Sequence, residues 1–304
     1  MNIVFMGSPE FAIPSLEQIH RSEHTIKAVV SNVDKRRGRG GKTSPTPLKL
    51  KALELGLSVI EVEDLNSSDF EEKLKALDPD LFVVVAFRIL PKSILEIPRI
   101  GSVNLHASLL PKYRGAAPIH WAIINGEEET GCTVFFLDEK VDTGNIITQE
   151  KISIFENETT GELYERLRDK GAELLLNSVE KIDGQDFNLQ KQDDELATPA
   201  PKLFREDCHV DFNNPPEDVH NKIRGLSPFP TAWADWNGEK FNMYRSAIGP
   251  DIDAKPGELI ENEGKLLVGC KFGTVELLVV QLPGTKRMKG ADFILGYEAK
   301  GTLI

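Results

Sequence analysis

An amide and an imidazole stand two residues apart in this chain, Asn104 and His106, within the segment GSVNLHASLLPKYRGAA (101–117). On a strand that spacing puts both side chains on one face. Carbonyl chemistry uses such a pair, because an amide can donate to a developing oxyanion while an imidazole moves a proton as acid or as base. The plainer alternative is a half-buried His–Asn pair satisfied by the fold. The residues Ser108-Leu109-Leu110-Pro111 leave the strand as an irregular turn, and Lys112, Tyr113 and Arg114 add cationic and aromatic groups beside it. Asp142 lies in a second polar turn, Val141-Asp142-Thr143-Gly144. Aspartate favours turns for its own structural reasons. It gains chemical interest as a partner that would orient the imidazole and stabilise its cationic form.

These residues need a scaffold, and the first half of the chain has the pattern of one. Apolar runs at 2–6, 26–30 and 81–87 alternate with helical periodicity over 10–20, 46–55 and 67–77. The run LFVVVAF (81–87) is apolar almost throughout, as in a strand buried on both faces. Strand patterns at 101–106, 133–137 and 145–154 precede a long helix pattern over 160–182. Strands separated by helices predict βαβ units and a mostly parallel sheet. Asn104 and His106 then fall at a strand's carboxyl end, where open α/β sheets place their sites. Near 190–205 the pattern stops, and Thr198-Pro199-Ala200-Pro201 reads as a stiff linker. Beyond 207, short alternating segments with turns at Gly238, Gly249, Gly264 and Gly273 predict a small β-rich domain, a barrel, with one helix near 216–223. The expected organisation is a domain over 1–189, a linker over 190–206 and a second domain over 207–304.

Length and composition narrow the class. A chain of 304 residues is long enough for two domains. With 40% hydrophobic and 28% charged residues, disorder, collagen and coiled coil are excluded. The apolar runs are too short to span a bilayer, and MNIVFMGSPEF lacks the basic start of a signal peptide, so a cytoplasmic protein with no membrane partner is expected. Three scattered cysteines, Cys132, Cys208 and Cys270, suit a reducing compartment and argue against a disulfide framework or a metal site. His20 and His24 could chelate on a helix face but have no third ligand nearby.

The net charge of −12 discourages nucleic-acid binding by the chain as a whole. Its distribution says more. Residues 27–51 hold eight Lys/Arg against Asp34 alone, a local balance of +7. Lys35, Arg36, Arg37, Arg39 and Lys42 stand there among Gly38, Gly40 and Gly41. Gly41-Lys42-Thr43 fails as a P-loop, because Arg36 occupies the place of the first glycine. The segment is either a solvated surface loop or a cationic loop that orders on a phosphodiester backbone, and its length and purity of charge favour the second. Gly7-Ser8-Pro9 holds one of the three glycines of a dinucleotide motif, so NAD is not expected.

N-L-H followed by S-L-L-P-K-Y-R-G-A-A-P, with D-x-G later in the same domain, resembles the formyltransferases that use 10-formyltetrahydrofolate. The likeness runs over nearly the whole chain and takes in MGSPEFA, the basic loop, APKL (200–203) and IRGLSPFPTAW (223–233). It implies a Rossmann-like α/β domain that binds the folate, followed by a small OB-like β-barrel that helps to hold RNA. It implies catalytic roles for Asn104, His106 and Asp142, and folate contacts from Ser108, Leu109, Leu110 and Pro111 and from Arg88, Ile89 and Leu90. The basic loop and the second domain point to the branch of the family that formylates the amino group of methionyl initiator tRNA for translation initiation. Lys35, Arg36, Arg37, Arg39 and Lys42 would then lie near the tRNA acceptor end, and the active species would be a monomer. One departure stands out: many members carry Tyr-Gly ahead of the Leu-Pro of the fourth strand, where this chain has Phe87-Arg88. A hydroxyl is lost and a cation gained beside the implied folate pocket. Family members that formylate sugar amines, or hydrolyse the donor to formate, have less need of a long cationic loop. A non-catalytic RNA-binding protein would leave Asn104 and His106 without a role.

Overall fold

The apolar runs of the first half become the middle of a seven-stranded sheet. The computed structural model describes residues 1–37 and 42–304, and of 35–37 and 42–43 the backbone alone. The chain begins β1 (Asn2–Gly7), α1 (Ile13–Arg21), β2 (Thr25–Asn32), then an antiparallel pair β3 (Lys35–Arg37) and β4 (Lys42–Ser44). It continues α2 (Pro47–Glu54), β5 (Val59–Val62), α3 (Ser68–Ala76), β6 (Leu81–Val85), α4 (Lys92–Leu95) and β7 (Gly101–His106). The short β8 (Arg114–Gly115) and α5 (Pro118–Ile124) lead to β9 (Glu129–Phe136), β10 (Ile146–Ser153), the long α6 (Thr160–Asp183) and β11 (Pro199–Ala200).

The sheet order is β10-β9-β7-β6-β1-β2-β5. Strands β7, β6, β1, β2 and β5 are parallel, and β9 runs antiparallel to β7. Ile3, Val4, Phe5 and Met6 of β1 and Leu81, Phe82, Val83 and Val85 of β6 are 0% exposed, which is why both strands read as unbroken apolar runs. Each such side chain stabilises the fold by about 1.5–3 kcal/mol relative to an exposed one. Because these strands are parallel, their carboxyl ends line one edge. At that edge a Cβ on Gly7 would lie 2.7 Å from the Val85 carbonyl, so the glycine lets β1 and β6 finish side by side.

The chain divides into two compact units: Met1–Gly115, Gly131–Ile152 and Glu165–Pro199 form the first, and Ala116–Thr130, Ser153–Tyr164 and Ala200–Ile304 the second. The second unit is built on α7 (Pro216–Gly225), β12 (Ala232–Trp236), β13 (Glu239–Ile248), β14 (Leu259–Asn262), β15 (Lys265–Cys270), β16 (Gly273–Gln281), β17 (Met288–Lys289) and α8 (Gly290–Gly296). Its strands form an antiparallel sheet in the order β12-β13-β16-β15-β14, with β17 beside β16. Both edges of that order are covered by one segment. Leu303 bridges Trp236 of β12, and Thr302 bridges Glu258 next to β14. Closing the edges in this way removes unpaired backbone groups. Phe241 and Phe293, both 0% exposed, meet edge-to-face at 5.4 Å in the core beneath.

Candidate active site

Strand β7 carries the first two candidate side chains, Asn104 and His106. Asn104 is in register with Val84 of β6 and Phe135 of β9, and His106 lies opposite Thr133. Asn104 Nδ2 donates to the Val84 carbonyl at 3.1 Å, which fixes the plane of a half-buried amide. His106 is 6% exposed, with Nε2 2.8 Å from the Tyr113 carbonyl. A carbonyl only accepts, so Nε2 carries the proton and the neutral ring has its lone pair on Nδ1.

Asp142 stands on the Nδ1 side, its Oδ2 3.7 Å away. That is too long for a hydrogen bond, yet close enough for the carboxylate to act on charge that develops on the ring during a reaction. Asp142 is in the left-handed region (φ +54°), and its Oδ2 accepts from the Gly115 amide at 2.8 Å. A Cβ on Gly144 would lie 1.7 Å from the Phe136 carbonyl, so the glycine of D-x-G is a packing requirement of this turn. Ala86 (φ +50°) and Tyr113 (φ +61°) are also left-handed, placing three strained residues in the loops around β7.

The turn after His106 is held from within. Ser108 Oγ donates to the Lys112 carbonyl at 2.7 Å, and Thr133 Oγ1 donates to the Ser108 carbonyl at 2.6 Å. The same Thr133 oxygen accepts from the Leu110 amide and from Gln149 Nε2. The Leu110–Pro111 peptide is cis, and Leu110 packs with Phe135 and Ile146. Ser108 and Leu110 are thus directed into the fold, while Leu109 and Pro111 are half-exposed.

Residues 1–179 match the formyl transferase family, and 202–298 match the formyl transferase C-terminal domain. A methionyl-tRNA formyltransferase of Chlorobium limicola is 44% identical over 306 residues, covering 98% of this chain and 96% of its own length. The methionyl-tRNA formyltransferase of Porphyromonas gingivalis is 40% identical over 314 residues, with the same coverage of 98% and 96%. The chain belongs to the methionyl-tRNA formyltransferase family. Among solved structures, an N-formyltransferase from Helicobacter canadensis, in complex with folinic acid and dTDP-3-aminofucose, shares the fold at a TM-score of 0.69. It is 22% identical, covering 90% of this chain and 98% of its own.

In this member of the methionyl-tRNA formyltransferase family the remaining sequence candidates fall in different places. The cation of Arg88 is engaged away from β7: Nη1 donates to Glu63 O and Nη2 to Val62 O, both at 2.7 Å. Burial holds this guanidinium below its ordinary pKa. Arg88 therefore ties the end of β6 to the end of β5. Ile89 is 72% exposed, whereas Leu90 is buried beside Phe82 and Ile94. Lys35, Arg36, Arg37 and Lys42 lie on the β3–β4 pair, and Arg39 falls outside the described residues. Among the described residues no cluster of His, Cys, Asp or Glu could hold a metal, and Cys132, Cys208 and Cys270 are free and buried.

Sequence reasoning missed a group of contacts. Gln192 and Thr198, within the stretch taken as linker, hydrogen-bond to the two loops that carry the site. Their partners lie 50 and 85 residues away along the chain, a separation with no local signature.

Proposed function

We propose that this protein transfers the formyl group of 10-formyltetrahydrofolate to the α-amine of methionyl initiator tRNA. The observation that carries the reading is the His106–Asp142 pair at the carboxyl edge of the parallel sheet, in a chain whose relatives of that name match it over 98% of its length. The residues present suit a folate. Exposed Ile89 and half-exposed Leu109 and Pro111 offer apolar surface to a flat heterocycle, and Asn104 and His106 offer hydrogen-bonding groups. When bound, the donor supplies the electrophilic formyl carbon on a carrier nitrogen that can leave.

The side chains then divide the work. Val84 takes one N–H of the Asn104 amide, and the other donates to the formyl oxygen as negative charge develops there. His106 keeps its Nε2 proton on the Tyr113 carbonyl and takes the proton of the attacking α-amine on Nδ1. The amine nitrogen bonds to the formyl carbon, the bond from that carbon to the carrier nitrogen breaks, and His106 returns the proton to the leaving nitrogen. Asp142 stabilises the imidazolium between the two transfers and is held in place by the Gly115 amide.

The domain over 1–189 is read as folate-binding and catalytic, 190–206 as a linker, and 207–304 as tRNA-binding. The cationic residues Lys35, Arg36, Arg37, Arg39 and Lys42 are read as contacts to the tRNA acceptor end, supported by the +7 balance of residues 27–51. One chain supplies Asn104, His106 and Asp142, so a monomer suffices. The unpaired cysteines support a cytoplasmic setting. Among the described residues no helix is long and apolar enough to cross a membrane.

The test is to incubate the protein and 10-formyltetrahydrofolate with methionyl initiator tRNA, with an aminated nucleotide sugar, and with water, in parallel. Formylmethionyl-tRNA in the first tube alone is expected. A formylated sugar or free formate in its place would overturn the acceptor half of the reading.

A further inference from the structure

Asp142 does not hold its own position. Its backbone is left-handed, so where its carboxylate lies depends on what fixes the 142–144 turn, and one buried side chain ties both ends of that turn. Gln192, 6% exposed, donates from Nε2 to the Asp142 carbonyl at 2.9 Å and to the Gly144 carbonyl at 2.8 Å. Its Oε1 accepts from Arg114 Nε at 3.1 Å and Nη2 at 2.8 Å. Both donors and both acceptor positions of the amide are therefore used. A guanidinium only donates, so Arg114 dictates which end of the amide faces the turn. Arg114 is steadied in turn by Asp194 at 2.8 Å, a contact that holds the Asp194 carboxyl below its ordinary pKa.

The same stretch grips the other side of the imidazole. Thr198 Oγ1 accepts from the Tyr113 amide at 2.9 Å, and the Thr198 carbonyl accepts from the Arg114 amide at 2.9 Å. Tyr113 is the residue whose carbonyl holds His106 Nε2. Residues 192–198 thus anchor both backbone segments that decide the geometry of the His106–Asp142 pair.

We propose that Gln192, oriented by Arg114, is a positioning residue for formyl transfer: it acts through Asp142 and touches neither substrate. The assignment rests on the reading of His106 and Asp142 as the proton-transfer pair. Gln192→Glu keeps the side chain's size and its contact with Arg114 but faces the Asp142 and Gly144 carbonyls with an oxygen in place of two N–H donors. A displacement of about 1 Å at such a pair costs on the order of 10²-fold in rate. Gln192→Glu should therefore lower kcat about 10- to 100-fold while KM for donor and for tRNA stays within about threefold.

The decisive readout is a double-mutant cycle. In an Asp142→Asn background, Gln192→Glu should add less than about a threefold further loss, because the group it positions is already gone. Melting temperatures are recorded throughout. If Gln192→Glu does not fold, Arg114→Lys leaves Gln192 in place but removes the fork that orients it, and should show a smaller kcat loss that Asp142→Asn likewise absorbs. Losses that multiply with Asp142→Asn, a loss confined to KM, or a folded Gln192→Glu with unchanged kcat would each overturn the assignment. A separate outcome, Asp142→Asn itself leaving kcat unchanged, would sink the underlying reading of the pair.

Discussion

Asp142→Asn isolates the charge of the carboxylate from its shape. The asparagine carbonyl still accepts from the Gly115 amide, and the turn keeps its bonds to Gln192, so the backbone has no reason to move. What disappears is a negative charge 3.7 Å from His106 Nδ1, between side chains only 7% and 14% exposed. At about 4 Å and an effective dielectric near 20, that attraction is on the order of 4 kcal/mol. If all of it were felt when the imidazole is charged, the rate would fall about 10³-fold. Residual solvent around Asp142 lowers the figure, and a loss of about 10²- to 10³-fold in kcat is expected, with KM for the folate little changed. The assay is single-turnover formylation of methionyl-tRNA under saturating donor, with a thermal melt run alongside. A folded variant turning over within about threefold of the parent would refute the electrostatic role of Asp142.

Gly144→Ala places a methyl group where the Phe136 carbonyl already stands, so the turn must shift. A cost of about 1–3 kcal/mol and a reduced kcat are expected, and an unchanged melting temperature with full activity would contradict the packing. His220 stays neutral in the fold, with Nε2 donating to Glu156 O and Nδ1 accepting from Ser246. Burial lowers its pKa from 6.5, so the unfolded chain takes up this proton first as pH falls. Its stabilising contribution is complete above pH 6.5 and is lost as pH falls toward the lower folded value. Melting temperature should drop on acidification and His220→Gln should flatten that slope; an equally steep slope in the variant would show that His220 is not responsible. Replacing Arg36, Arg37 and Arg39 together by alanine should weaken tRNA binding and reduce the slope of log affinity against log salt by roughly 2–3. An unchanged slope would remove the loop from the tRNA footprint.

Much of this architecture is written locally. The run at β6 is apolar because both faces of the strand are covered, and α6 shows its period because one face is buried. Asn104 and His106 were legible for the same reason: a two-residue spacing at the end of a strand has one geometric meaning. Arg88 shows where such reading stops. A cation next to an expected pocket is a natural ligand contact on paper, but the carbonyls of Val62 and Glu63 that engage it come from a strand more than 20 residues earlier. Gln192 is the sharper case. Nothing in the polar stretch around it has periodicity, and its value lies in two carbonyls and a guanidinium brought in from other turns. The sequence division at 190 likewise cannot register that 116–130 and 153–164 join the second unit, because that choice is made by packing over long separations.

The proposed proton transfer runs through His106, a claim that the variant His106→Ala puts at stake. Single-turnover formylation of methionyl initiator tRNA should fall about 10²- to 10⁴-fold while binding of the folate and of tRNA stays near that of the parent. Turnover close to the parent's in a folded variant would contradict the claim.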